Sequence, residues 1–257
     1  MRKALAPVAL GLRLRSRSGS GAELDLDSAI RREVDLRAGW QDPAADRIWR
    51  SPIRALPELS VVSILDHSGS TGGVTSGNVP RADLATTAAL LLAAFDSLGT
   101  PSAAFGFRSY GRTRVVMTPL KLEDQRFDHR ARRALAGLEP GGFTRLGAAI
   151  RFATARLDDC RSPVRRLIIL HSDGYPFDDG YEMSYAVADT RAAVAEAARA
   201  HCGLLWIRPR RPDETALRCF GDTPQVAAED VVTSPAALAS EMARAPAPAG
   251  SRHQTRG

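Results

Sequence analysis

Asp66, Ser68 and Ser70 stand at i, i+2 and i+4 directly after the apolar run Leu59–Leu65 (LSVVSIL). In a nearly extended segment this spacing turns three oxygen-bearing side chains to one side. Two more oxygens follow: Thr144 in the loop Gly141-Gly142-Phe143-Thr144, and Asp173 in the Ser-Asp-Gly that ends the run Arg166–His171 (RLIILH). Three neutral hydroxyls and two carboxylates form an all-oxygen donor set. Hard Mg²⁺, or Mn²⁺, takes such ligands in octahedral geometry and retains several waters. With so little anionic charge in the set, the ion stays electrophilic, and an open position accepts a carboxylate from another molecule. Each piece alone has an ordinary structural use, since Ser and Gly after a strand make turns and Thr144 could cap a helix. Their joint placement carries the reading.

That placement depends on the elements. LSVVSIL and RLIILH are short, nearly all-apolar runs, the pattern of central strands covered on both faces. Leu204–Ile207 is a third, and Ser102–Phe107 and Arg114–Met117 read as strands flanking a Ser-Tyr-Gly turn. Helices are expected near Pro80–Ser97, Phe127–Leu138, Leu146–Asp159, Val187–His201, Glu214–Phe220 and Ser234–Ala243, with a strand near Gln225–Val232. Alternation of strands and helices of this length means right-handed βαβ crossovers. The expected fold class is therefore α/β: doubly wound, with a mainly parallel central sheet and helices on both faces. Ligand sites in such sheets collect past the carboxyl ends of the strands, where Asp66 and Asp173 fall.

Composition is that of a globular chain: 257 residues, 44% hydrophobic and 25% charged. Basic residues outnumber acidic ones 35 to 29, and Lys3 and Lys121 are the only lysines. The arginines are scattered, dense only at Arg13–Arg17 and Arg208–Arg211, with no aromatic-rich motif, which argues against nucleic-acid binding. The most apolar run, Leu84–Phe95, contains two threonines and has about half the ~20 residues a membrane span needs. The start, MRKALAPVALGLRLRSRS, carries Pro7 within its apolar stretch and arginines after it, unlike a signal peptide. Cys160, Cys202 and Cys219 lack zinc spacing and fit reduced thiols in a cytoplasmic protein. Residues 1–20 have the composition of a flexible basic arm, 21–54 of a helical and extended lead-in, and 246–257 of a disordered tail.

The order Asp-x-Ser-x-Ser, Gly-Gly-x-Thr and Ser-Asp-Gly, each in its strand context, resembles a von Willebrand factor A (vWA) domain with a metal-ion-dependent adhesion site, here spanning 55–245. A narrower likeness lies in GAELDLDSAIRREVDLRAG, GGFTRLGAAIRFAT and SDGYPFDDGYEMSYAVADTRAAVAEA, which are similar to the vWA portion of NorD- and CbbO-type activation proteins. The resemblance implies a Rossmann-like vWA fold and a metal set of Asp66, Ser68, Ser70, Thr144 and Asp173. It also implies a non-enzymatic adaptor that works with a MoxR-type AAA+ ATPase to activate nitric oxide reductase or Rubisco. Members of that family carry a long region before the vWA domain that has no counterpart in these residues. His67 stands where the family usually has an apolar residue, and His171 where Leu or Thr is common.

A competing reading makes Ser68 or Ser70 a hydrolase nucleophile with His171 and Asp173. Gly-x-Ser-x-Gly fails at Ser68, and His171 lies on a strand rather than a late loop. The chain also lacks the Gly-x-x-x-x-Gly-Lys-Ser/Thr of a P-loop ATPase. An extracellular adhesion domain, a third reading, needs a secretory signal. Tyr181, in the acidic turn Asp178–Glu182, is expected to be exposed and to contact the partner, with His67 a second candidate contact.

Overall fold

The computed structural model describes residues 1–9, 16–18, 23–24, 26–40, 48–51, 59–72, 81–159, 165–209 and 211–245. The chain divides into two compact units, Met1–Ala9 with Pro57–Gly257, and Leu10–Leu56. The smaller unit has a three-stranded antiparallel sheet, with Trp49–Ser51 paired on one side to Ser16–Ser18 and on the other to Glu23–Leu24. It also holds the helix Leu26–Arg37.

In the larger unit the elements run α1 (Arg2–Ala9), β1 (Leu59–Asp66), α2 (Arg81–Leu98), β2 (Ser102–Ser109), β3 (Val115–Lys121), α3 (His129–Ala136), α4 (Leu146–Asp158), β4 (Arg165–His171), α5 (Met183–Arg199), β5 (Cys202–Arg208), α6 (Glu214–Phe220), β6 (Gln225–Ala227), α7 (Ala228–Thr233) and α8 (Pro235–Arg244). The sheet order is β3-β2-β1-β4-β5-β6. Every neighbouring pair is parallel except β2 with β3. The fold is the expected doubly wound α/β sheet.

All eight residues of β1 are buried, as a central parallel strand requires. Its side chains alternate between two cores. Val61 and Leu65 join Leu167, Ile169, Leu205 and Ile207 under α1, α2, α7 and α8. Val62 and Ile64 join Ile168, Leu170, Leu204 and Trp206 under α4, α5 and α6. With both faces covered, the polar residues at the strand ends are the ones left to meet solvent and ligands.

Three expectations change. Arg2–Ala9, assigned to a flexible arm, is a helix whose Leu5 and Ala9, one turn apart, are buried in the first core. Tertiary packing overrides the cost of Pro7 inside it. The strand expected over Gln225–Val232 stops at Ala227, and Ala228–Thr233 is helical, with Glu229 and Asp230 in its first turn, where acids favour a helix start. The helix expected from Val187 begins at Met183. Cys160 and the expected tail 246–257 lie outside the described residues. Among the described residues no helix is long and apolar enough to cross a membrane.

Candidate functional site

Asp66 is the last residue of β1, and Asp173 follows β4 by two residues, so both carboxylates reach the carboxyl-end crevice between adjacent strands. Asp66 Oδ1 accepts from the Ser68 backbone N–H at 2.9 Å, a turn that folds the chain back and aims Ser68 and Ser70 inward. The Ser68 and Ser70 hydroxyls lie 3.1 Å apart, and Ser70 Oγ donates to Asp173 Oδ2 at 2.9 Å. Ser172 Oγ donates to Asp66 Oδ2 at 2.7 Å. A cavity of about 340 Å³ opens above, with Ser68, Ser70 and Thr144 among its lining residues. Ser68, Ser70 and Thr144 thus line the cavity, while Asp66 and Asp173 lie behind it and bond to the serine loop.

Backbone bonds lace three loops into this arrangement. Gly69 N–H donates to Gly142 O at 3.0 Å, and Gly141 N–H to His67 O at 3.0 Å. Thr144 and Phe177 exchange N–H···O bonds of 2.7 and 3.0 Å. Gly142 has φ +70°, and a Cβ there would sit 2.6 Å from Ser109 O, so only glycine fits this bend. Gly174, at φ +81°, is similar, because a Cβ would meet the Trp206 ring at 2.4 Å. Trp206 in turn donates its indole N–H to Ser172 O at 3.0 Å.

The electrostatics of the two carboxylates are unfavourable. Asp66 is 0% exposed and Asp173 7%. Among the described residues no Lys, Arg or His pairs with either carboxylate. Burial, reinforced by repulsion from Asp173, pushes the Asp66 carboxyl up to about 7, against hydrogen bonds from Ser172 and Ser68. Burial raises Asp173 as well, and Asp213 adds repulsion. Uncompensated buried charge is costly, and a divalent ion among these oxygens would offset it. Among the described residues no three His, Cys, Asp or Glu group as a metal site. The set is the hard hydroxyl–carboxylate kind that suits Mg²⁺ or Mn²⁺ rather than a thiolate zinc site.

His171 belongs to the core. It is fully buried on β4 with Nδ1 3.2 Å from Thr87 Oγ1 and Nε2 3.1 Å from Ser63 Oγ. Because Thr87 spends its proton on Leu84 O at 2.9 Å, it accepts from Nδ1–H, and Ser63 donates to Nε2. That assigns the neutral Nδ1–H tautomer, and burial lowers the imidazole to about 3. The base of the hydrolase reading is therefore engaged with Ser63 and Thr87.

Two expected contacts are corrected. Tyr181 is 1% exposed. Its hydroxyl donates to Asp189 Oδ2 at 2.6 Å, and the Arg145 guanidinium lies 4.7 Å from its ring centroid. The amphipathic ring fills the interior beside α5 rather than facing a partner. His67 is 2% exposed and donates Nδ1–H to Glu139 O at 2.8 Å. Both side chains support the site from within.

Sequence reasoning missed a buried ion pair. Arg145 Nε donates to Asp178 Oδ2 at 2.8 Å, with both side chains buried. Asp178 also accepts from the Gly111 and Asp179 N–H groups, each at 2.8 Å, and Arg145 donates to Asp179 O. Burial pushes the Asp178 carboxyl up, but hydrogen bonds from Ser109, Gly111, Arg145 and Asp179 outweigh it and hold the group below the usual range. Residue 145 follows Thr144 directly, so this pair fixes the Thr144 loop to the loop after β4. Ser172 was missed too; its place beside Asp173 was the available signal.

A family model for the von Willebrand factor type A domain matches residues 60–240. The chain is 38% identical over 144 residues to Protein NorD of Stutzerimonas stutzeri, covering 55% of this chain and 23% of that protein. It is 35% identical over 176 residues to Protein NorD of Brucella suis biovar 1 (strain 1330), covering 68% and 27%. The match thus spans about a quarter of the length of these relatives. Among solved structures, the open conformation of the pilus adhesin SpaC from Lactobacillus rhamnosus GG has a TM-score of 0.50 at 14% identity, covering 72% of this chain and 30% of that one. Proximal thread matrix protein 1 from the mussel byssus, solved with zinc in its MIDAS motif, also has a TM-score of 0.50 at 14% identity, covering 72% and 46%. At those identities the likeness concerns the fold alone.

Proposed function

The chain belongs to the von Willebrand factor type A domain family, and from that premise we propose that it is a Mg²⁺-dependent protein-binding module that grips an acidic residue of a target protein. Asp66, Ser68, Ser70, Thr144 and Asp173 would hold the ion, Mg²⁺ or Mn²⁺. One observation carries the reading: two buried carboxylates, without a basic partner among the described residues, converge with hydroxyls at the open end of the sheet. When bound, the ion supplies a Lewis-acidic position for a partner carboxylate.

The chain's own groups do the rest. Ser172 and the Ser68 N–H orient the Asp66 carboxylate, and Ser70 together with the Tyr175 N–H orients Asp173. The interlaced loops hold that geometry before a target arrives, which lowers the ordering cost of binding. We read the module as a non-enzymatic adaptor in the cytoplasm, where buried free thiols such as Cys202 and Cys219 stay reduced. The likeness to Protein NorD supports a role beside a MoxR-type AAA+ ATPase in activating a metalloenzyme of the nitric oxide reductase or Rubisco kind. Calorimetric titration of Mg²⁺ into the chain and its Asp66→Ala variant tests the site. One-site binding by the parent and none by the variant is expected; equal binding by both would sink the assignment.

A further inference from the structure

Phe143, Tyr175 and Phe177 wall the cavity whose polar residues are Ser68, Ser70 and Thr144. The three rings are 41%, 39% and 40% exposed, whereas large rings in a packed domain mostly go inside. Phe143 and Phe177 meet edge to face, with centroids 5.7 Å apart. Their backbones are fixed, since Phe143 exchanges two 2.8 Å bonds with Ser109 and Phe177 pairs with Thr144. The rings of Phe143 and Phe177 therefore flank the opening from anchored backbone positions.

A carboxylate at the floor would leave most of that apolar wall in water. The cavity of about 340 Å³ reaches the size of pockets that take a small ligand. It has room for a second side chain. Charge at its edge narrows the choice. The Tyr110 ring lies against Gly142, with the Arg108 and Arg114 guanidinium groups 5.6 and 5.2 Å from its centroid. Positive charge beside an apolar wall favours an acidic, apolar segment and disfavours a basic one.

We propose that this aromatic rim is a specificity subsite, and that the preferred target presents an Asp or Glu next to a large apolar side chain, best an aromatic one. The acidic residue reaches the floor while its neighbour packs against Phe143, Tyr175 and Phe177. The proposal rests on the cation-binding reading above and adds what the partner must carry beside its carboxylate.

The test uses the full chain. Mg²⁺ alone is titrated first, and then capped peptides Gly-Ser-Gly-Asp-X-Gly-Ser with X as Gly, Leu, Phe or Lys are titrated with and without Mg²⁺. A further peptide carries its only carboxylate at the C-terminus after Phe. The Phe peptide is expected to bind about tenfold tighter than the Gly peptide, which corresponds to about 1.4 kcal/mol, and the Lys peptide weakest. Phe177→Ala, and independently Phe143→Ala, should bring the Phe-to-Gly ratio close to one. If Mg²⁺ binds but the parent shows a ratio of one, or binds no peptide, the subsite is overturned while the cation site stands. If Mg²⁺ does not bind, or peptide affinity ignores it, both readings fail. Tighter binding of the C-terminal carboxylate than of the Asp-Phe peptide would overturn the side-chain ligand.

Discussion

The Ser70 hydroxyl donates to Asp173 Oδ2 at 2.9 Å and so ties the loop after β1 to the loop after β4, 103 residues away. A second tie, from Ser172 Oγ to Asp66 Oδ2 at 2.7 Å, joins the same two loops, and Ser68 connects them, bonding Ser70 through its hydroxyl and Asp66 through its N–H. Hydroxyls bridging two like-charged buried carboxylates hold them close without neutralising them. The two buried carboxylates are therefore held together without a basic partner among the described residues, and the following expectations arise from that imbalance.

The first concerns pH. Burial and Asp173 raise the folded Asp66 carboxyl to about 7, above the ordinary value near 3.9. A raised folded value means that the stabilisation is full below about pH 4 and is lost as pH rises to about 7. Buried His171, lowered to about 3, acts oppositely, costing stability as pH falls below its ordinary value near 6.5. The difference in Tm with and without Mg²⁺ isolates the carboxylates, because metal binding requires their deprotonated forms. The Tm gain from Mg²⁺ should grow from pH 5 to pH 8. A gain constant over that range would mean that no carboxylate titrates with the metal.

Asp66→Asn should separate charge from shape. The amide keeps an acceptor for the Ser68 N–H but removes one of the two buried charges. At pH 8 without metal the variant should be more stable than the parent by about 1 kcal/mol, because removing an unpaired buried charge outweighs the one acceptor lost to Ser172, and Mg²⁺ should no longer shift its Tm. Denaturant unfolding in EDTA measures the first effect and a Mg²⁺ thermal shift the second. A variant less stable than the parent in EDTA would mean that the carboxylate is already compensated.

Much of this was readable in residue types. LSVVSIL and RLIILH announce central strands because both faces of a parallel sheet demand apolar side chains, and hydroxyls and carboxylates at their ends have few other reasons to cluster. What stayed hidden depends on long-range partners. Asp178 and Tyr181 sit in a turn of polar composition, and nothing local says that Arg145, more than 30 residues earlier, neutralises one and stacks on the other. By type His171 could serve as the base of the hydrolase reading, and its bonds to Ser63 and Thr87, from β1 and α2, show it to be a core residue. The helix Arg2–Ala9 reads as a basic arm until the core that receives Leu5 and Ala9 is known.

The Arg145–Asp178 pair should be structural and also felt at the proposed metal site. Removing one partner of a buried pair strands the other charge, at a cost of about 3–5 kcal/mol. Asp178→Ala additionally frees the Gly111 and Asp179 N–H groups. Urea unfolding should show that loss, and Mg²⁺ affinity should fall too, because the Thr144 loop loses its anchor. A change within about 0.5 kcal/mol, the range of an ordinary surface substitution, would show that the pair holds nothing in place.

The last prediction concerns the partner. A contact through the ion is short-range and directional, whereas the net +6 charge of the chain acts through solvent and is screened over about 10 Å at 0.1 M salt. Chelation should therefore weaken target capture far more than raised salt does. Thr144→Ala should act like partial chelation, since Thr144 is 2% exposed at the cavity and its loss removes an oxygen without changing charge. Asp66→Ala should act like full chelation. The measurement is a pull-down from native extract with the parent chain and both variants, in Mg²⁺, in EDTA, and in Mg²⁺ with added salt. The same partners should survive salt, fade with Thr144→Ala, and vanish with EDTA or Asp66→Ala. Equal recovery in every lane would show that binding uses another surface and that the carboxylate pair serves only the fold.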